Sequence, residues 1–234
     1  VDERLQQAAD ALTHAHQANS QTSKEQPVNY YDYSDANNLN DDSLLAQIEH
    51  AIDHNRFELF FQPIVNLHGS GQEHYEASFA LPKANNEYIT LPELIEATLD
   101  SNITGKLDRW FVGQAISKLA DHRADGHQTV FFIPVSFESI QDATFLPWVN
   151  MVLKQAHLPG DAITFQISEE TAHTYLKAAK AFSNGLDILK ANLAITEYGK
   201  LDTGLSISKH LSIGYVSLHQ DFSERLAEDP KTQQ

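Results

Sequence analysis

The chain has 234 residues, with 32 acidic against 16 basic side chains for a formal charge of -16, 41% hydrophobic residues and no cysteine. That size and apolar fraction suit one large core plus an appendage, and the charge sets nucleic acid and anionic membranes against the chain. Disulfides, thiolate zinc and thiol catalysis are excluded, and with no run near the about 18 apolar residues of a membrane helix and no leader, a cytoplasmic protein is expected.

In chain order, residues 1–19 are rich in Ala, Leu and Gln, with Leu5, Ala8, Ala9 and Leu12 near helical spacing, which predicts a helix. A polar run and the aromatic segment VNYYDY follow, so residues 1–36 read as a helix and strand of their own. Ser43 is placed to cap a helix carrying Leu44, Leu45, Ile48 and Ile52 on one face. Strands are expected near 58–67, 73–81, 129–136, 162–168, 192–197 and 213–218, with helices near 91–99, 106–122, 145–156, 171–189 and 203–210. Helices alternating with short apolar strands such as VFFIPVS and LAITEY predict an α/β fold on a parallel sheet, either open or closed into a barrel.

The most specific text is ELFFQPIVNLHGSGQEHYEASFAL, from Glu58 to Leu81, which joins two strand-like segments, a Gln-Pro pair and the carboxylate Glu76. It resembles the opening of the EAL domain, the cyclic di-GMP phosphodiesterase family, whose usual text is FxxxYQPIV followed by EALLRW. The resemblance covers about residues 43–225, leaves 226–234 as a polar tail, and implies an EAL-type (β/α)8 TIM-like barrel that is incomplete at its C-terminus. Residues 1–36 resemble the last helix and strand of a GGDEF domain, without its defining loop.

In such a barrel, reacting groups sit at the C-terminal ends of the strands, and two divalent ions held by carboxylates would activate water. Carried over residue by residue, the resemblance leaves Glu76 as the first metal carboxylate and puts Ala80 where a phosphate-contacting Arg is usual. Pro134 replaces a metal-binding Asn, Gln166 a metal-binding Glu, and Thr196 with Glu197 a pair of aspartates. Ser217 takes the place of a Lys that orients water, and His219 that of an Asp. The resemblance therefore implies a degenerate, non-catalytic member that needs no cofactor or metal. Within the family it resembles the FimX type, which implies type IV pilus and twitching-motility signalling through a PilZ-domain partner, with a homodimer as a further expectation.

If cyclic di-GMP binds, the resemblance offers Gln62, Glu76, Phe79 and Asp108 as its ligands; loss of the Arg at Ala80 argues for weak or no binding. The same residues have plainer readings. Gln62 and Pro63 can end a strand, Glu76 can be a surface carboxylate, and Asp108 with Arg109 can be an ion pair on a helix. His50 and His54 stand at i, i+4 with no evident third ligand, which suits a solvated helix face, and His14, His16, His122 and His127 read as titratable surface. Ser136, Ser168 and Ser206 lack a nucleophile-elbow setting, and Gly199 with Gly204 are too sparse for a phosphate loop.

Overall fold

A computed structural model describes residues 44–67, 71–83, 85, 87–98, 101–201 and 204–221, all within the compact unit 42–234. The expected segments 1–36 and 226–234, and with them His14 and His16, lie outside the described residues.

The elements run α1 (Leu44–Asp53), β1 (Glu58–Ile64), β2 (Glu73–Pro82), β3 (Tyr88–Ile89), α2 (Leu91–Thr98) and α3 (Thr104–Ala124). They continue with β4 (Thr129–Pro134), α4 (Phe137–Gln141), α5 (Phe145–Gln155), β5 (Ile163–Ser168), α6 (Glu169–Thr174), α7 (Leu176–Leu189), β6 (Asn192–Tyr198) and β7 (Tyr215–Leu218). The sheet order is β1-β2-β4-β5-β6-β7, with the short β3 paired to β2. From β2 onward the main ladder is parallel, whereas β1 runs antiparallel to β2. This corrects the expectation of parallel strands throughout: the short link from Ile64 to Glu73 can return the chain only as a hairpin, since a parallel crossover needs about a dozen residues or more. The α/β class with a mostly parallel central sheet is as expected.

Strand alternation sorts the side chains onto two faces. Phe79 on β2, Phe131 and Ile133 on β4, Phe165 on β5 and Leu193 on β6 point toward the helices and join Phe111, Phe145 and Leu186 in one continuous core. The opposite, inner face carries a small buried apolar cluster, Val130, Phe132 and Ala194, beside polar groups and the exposed Phe60 and Ile64 of β1. Burial of large side chains at roughly 1.5–3 kcal/mol each makes the helix-facing layer the main source of stability.

Local sequence sets several boundaries. Glu93 supplies half of a capping box at the start of α2, its carboxylate accepting from the Thr90 backbone N–H and hydroxyl at 2.7 Å. The expected helix 171–189 is two helices broken at Tyr175, and 204–209 is a 3₁₀ turn. At Gly160 a Cβ would stand 1.8 Å from the Leu189 carbonyl oxygen, so only glycine lets the turn before β5 pass the end of α7.

Candidate functional site

The inner face gathers the expected positions from neighbouring strands. Gln62 on β1 stands opposite Glu76 on β2 in the antiparallel register. Glu76 is exposed, and its Oε1 accepts from Gln166 Nε2 at 3.4 Å, a bond spanning the sheet from β2 to β5. Gln166 is 6% exposed, and its own Oε1 has no partner, which leaves a buried amide acceptor beside the carboxylate. Ala80 lies on the same face of β2, 7% exposed, and Pro134 stands opposite Gln166 at the end of β4. Having no N–H, Pro134 leaves the ladder to Val135, whose N–H donates to the Gln166 carbonyl at 3.1 Å.

Thr196 pairs in register with Ser168 near the ends of β6 and β5. Glu197 departs from this face. It sits at φ +54 beside an irregularity in the β6–β7 ladder, is exposed, and its Oε2 accepts from Lys200 Nζ at 3.3 Å. Ser217 on β7 is exposed, and the His219 N–H donates to the Tyr198 carbonyl at 3.0 Å while its ring lies 3.7 Å from Asp221.

Two expected nucleotide ligands sit elsewhere. Phe79 is 2% exposed on the helix-facing side of β2, packed against Phe57, Trp110 and Phe111, so strand alternation directs it away from Glu76. Asp108 is buried on α3, and its Oδ2 accepts from the Ser136 N–H at 2.8 Å, the Ser136 hydroxyl at 2.6 Å and the Ser139 hydroxyl at 2.7 Å. Burial pushes its carboxyl above the usual aspartate range, with the serine hydrogen bonds opposing that shift. Arg109 pairs with Asp142 at 2.6 Å and lies over the Trp148 ring, so the Asp108–Arg109 ion pair does not form.

One buried carboxylate at the strand ends escaped the sequence reading. Glu169 is 1% exposed, and its Oε2 accepts from the backbone N–H groups of Gly199 at 2.9 Å and Leu201 at 3.2 Å. It ties down the turn after β6, at the strand ends where a ligand would sit. Its signal in the sequence was an acid directly after a buried strand, at the start of α6. Ser136 and Ser168 are the N-caps of α4 and α6, which explains serines at strand ends without nucleophilic chemistry.

A family model for the EAL domain matches residues 45–234. The chain belongs to the EAL domain family. The match runs on through the segment read as a polar tail. The domain is similar to a FimX EAL domain crystal structure at 35% identity and TM-score 0.75, covering 81% of this chain and 76% of that one. It is similar also to the FimX EAL domain from Pseudomonas aeruginosa bound to c-di-GMP, at 32% identity and TM-score 0.75, covering 82% and 77% of the two chains. Among curated proteins it resembles the cyclic di-GMP phosphodiesterase PdeF of Escherichia coli (strain K12), 24% identical over 157 residues, 67% of this chain and 21% of that protein. The chain spans about a fifth of the length of the curated relatives it matches.

An EAL barrel implies divalent metals at the strand ends, and the residues present there do not fit a two-metal site. The inner face offers the carboxylate of Glu76, that of Glu58 opposite Ala80, which accepts from the Tyr88 hydroxyl at 2.7 Å, and the neutral amides of Gln62 and Gln166; Pro134 has no side-chain ligand, and Glu197 turns away to Lys200. Hard cations of this class are held mainly by carboxylates, and Glu76 with Glu58, at different positions along the β1–β2 pair, cannot balance two dications.

Proposed function

We propose that this EAL domain does not hydrolyse cyclic di-GMP and acts in signalling through protein contacts, binding the nucleotide weakly or not at all. The observation that carries this reading is the composition of the inner face. Among the described residues of β1, β2 and β4–β7, the side chains alternating onto it include no Lys or Arg and two carboxylates, Glu76 and, opposite Ala80, Glu58, which accepts from the Tyr88 hydroxyl at 2.7 Å. A cyclic dinucleotide carries two phosphate charges, and an arginine contact at Ala80 would be worth roughly 1.5–3 kcal/mol, one to two decades in affinity. Similarity to the FimX EAL domains supports a place in type IV pilus and twitching-motility regulation, with a PilZ-domain protein as the partner.

A second reading is favoured by one specific observation, the P. aeruginosa FimX EAL domain bound to c-di-GMP at 32% identity. In that reading the domain is a cyclic di-GMP receptor whose occupancy regulates the same partner, with Gln62, Glu76 and the free Oε1 of Gln166 facing the base or ribose. Calorimetry with cyclic di-GMP, run with Ca²⁺ and with EDTA, separates the two. The first predicts a Kd weaker than about 1 μM and no product in a parallel assay with Mg²⁺ or Mn²⁺. Metal-independent binding tighter than that makes it a receptor, and metal-dependent turnover refutes both.

A further inference from the structure

At the opposite end of the sheet, where β2 and β4 begin, three metal-ligating side chains come together. The sequence around the end of α3 reads DHRADGHQT, from Asp121 to Thr129. The helix stops at Ala124, Gly126 takes φ +96, and its N–H donates to the Arg123 carbonyl at 3.1 Å. This reversal, which glycine permits at that φ, folds His127 back so that its ring stacks on His122 at 4.1 Å and 14°. From β2, Glu73 pairs in register with Thr129 and brings its Oε1 to 3.2 Å from His127 Nδ1.

Thr129 fixes the protons. Its hydroxyl stands 3.1 Å from Glu73 Oε2 and 2.8 Å from His122 Nδ1. A carboxylate only accepts, so the single hydroxyl hydrogen goes to Glu73 and the threonine oxygen accepts from His122 Nδ1–H. Neutral His122 therefore presents Nε2 with its lone pair free, the state a metal ligand needs, held by a hydrogen bond on the other nitrogen. The 3.2 Å between Glu73 Oε1 and His127 Nδ1 is close to the roughly 3.3 Å that separates two ligands of a tetrahedral zinc with bonds of about 2.0–2.1 Å.

We propose that Glu73, His122 and His127 form a zinc-class site, the ion replacing the proton between Glu73 and His127 and taking His122 Nε2 as its third ligand. The candidate ligand atoms already lie within 4.8 Å of one another, and the half-exposed His127 ring closes the set by tilting out of its stack. A carboxylate with two imidazoles selects Zn²⁺ over Mg²⁺ or Ca²⁺. His122 also lines a cavity of about 350 Å³ together with Tyr75, Lys118, Asp121 and Asp125. That cavity lies on the helix-facing side of the sheet, away from Glu76 and Gln166.

Equilibrium dialysis of the whole chain against Zn²⁺, with bound metal counted, tests the site. His127→Ala and Glu73→Gln change half-exposed groups, and each is expected to remove one zinc equivalent or weaken it by more than roughly 10-fold. The control His54→Ala, in the stacked His50–His54 pair of α1, is expected to retain that equivalent. Parental zinc binding in both His127→Ala and Glu73→Gln, with circular dichroism showing them folded, overturns the proposal. So does loss of the equivalent in His54→Ala, or its retention in Glu73→Gln alone.

Discussion

Removing the Asp108 carboxylate should cost stability, not ligand affinity. One oxygen of this buried side chain accepts three hydrogen bonds, from the Ser136 N–H and the hydroxyls of Ser136 and Ser139. In Asp108→Ala the hydroxyls can rotate toward other acceptors, but the Ser136 N–H is fixed at the N-cap of α4. Leaving that donor unsatisfied costs about 1–3 kcal/mol, and the lost hydroxyl bonds bring the expected total to roughly 2–4 kcal/mol. Asp108→Asn keeps an acceptor oxygen and should stay within about 1 kcal/mol of the parent at neutral pH. Because burial raises the folded-state pKa, the native protein binds the extra proton first. Its contribution to stability is complete below the unfolded value and is lost as pH rises through the folded value, and the Asn variant should lack that slope. Urea titrations followed by circular dichroism at several pH values measure both effects. An Asp108→Ala variant within 0.5 kcal/mol of the parent, below the ~1 kcal/mol floor for an orphaned donor, would refute the capping role.

Other outcomes follow from the inner face and its edge. Gln166→Glu places a second carboxylate at the 3.4 Å contact with Glu76. Repulsion at that range is worth about 1 kcal/mol in water and about 4 kcal/mol at lower dielectric, and the exposure of Glu76 puts it near the lower end. The variant should melt below the parent at neutral pH and gain more Tm from Mg²⁺ than the parent does; equal Mg²⁺ shifts in the two proteins would show that the pair cannot share an ion. Glu169→Ala removes the acceptor for the Gly199 and Leu201 N–H groups, at a cost of about 1.5–3 kcal/mol for a charged partner. Limited trypsin digestion should then cut faster after Lys200, and an unchanged digestion rate would mean the turn is held by other contacts.

The sequence made the layers legible because one strand face is buried under helices and the apolar residues alternate accordingly. The direction of β1 follows from the shortness of its link to β2, a signal present in the text. The fate of Asp108 was legible too. It falls between Leu107 and Phe111 on the stripe of α3 that continues through Val112, Ala115, Ile116 and Leu119, all buried. An acid on such a stripe must find donors, and Ser136 and Ser139 supply them from the far side of β4. Phe79 was misjudged because its neighbours in sequence, Ser78 and Ala80, face inward while it does not. The meeting of Glu73 with His122 and His127 had no such signal, since it depends on the β2–β4 register, which pairs Glu73 with Thr129 across more than fifty intervening residues.

Charge bears on what the inner face can receive. The chain carries a formal charge of -16, so an anionic nucleotide approaches against the field of the whole domain unless local cations reverse it. At the strand ends, Lys200 could supply one, but it is paired with Glu170 at 3.8 Å and Glu197 at 3.3 Å. The same field favours a basic protein surface, speeding its encounter and making association weaken as salt rises. A partner that binds equally well at low and high ionic strength would therefore be held by apolar contacts, and the exposed Phe60, Ile64 and Val65 of β1 and its exit would be the first side chains to replace.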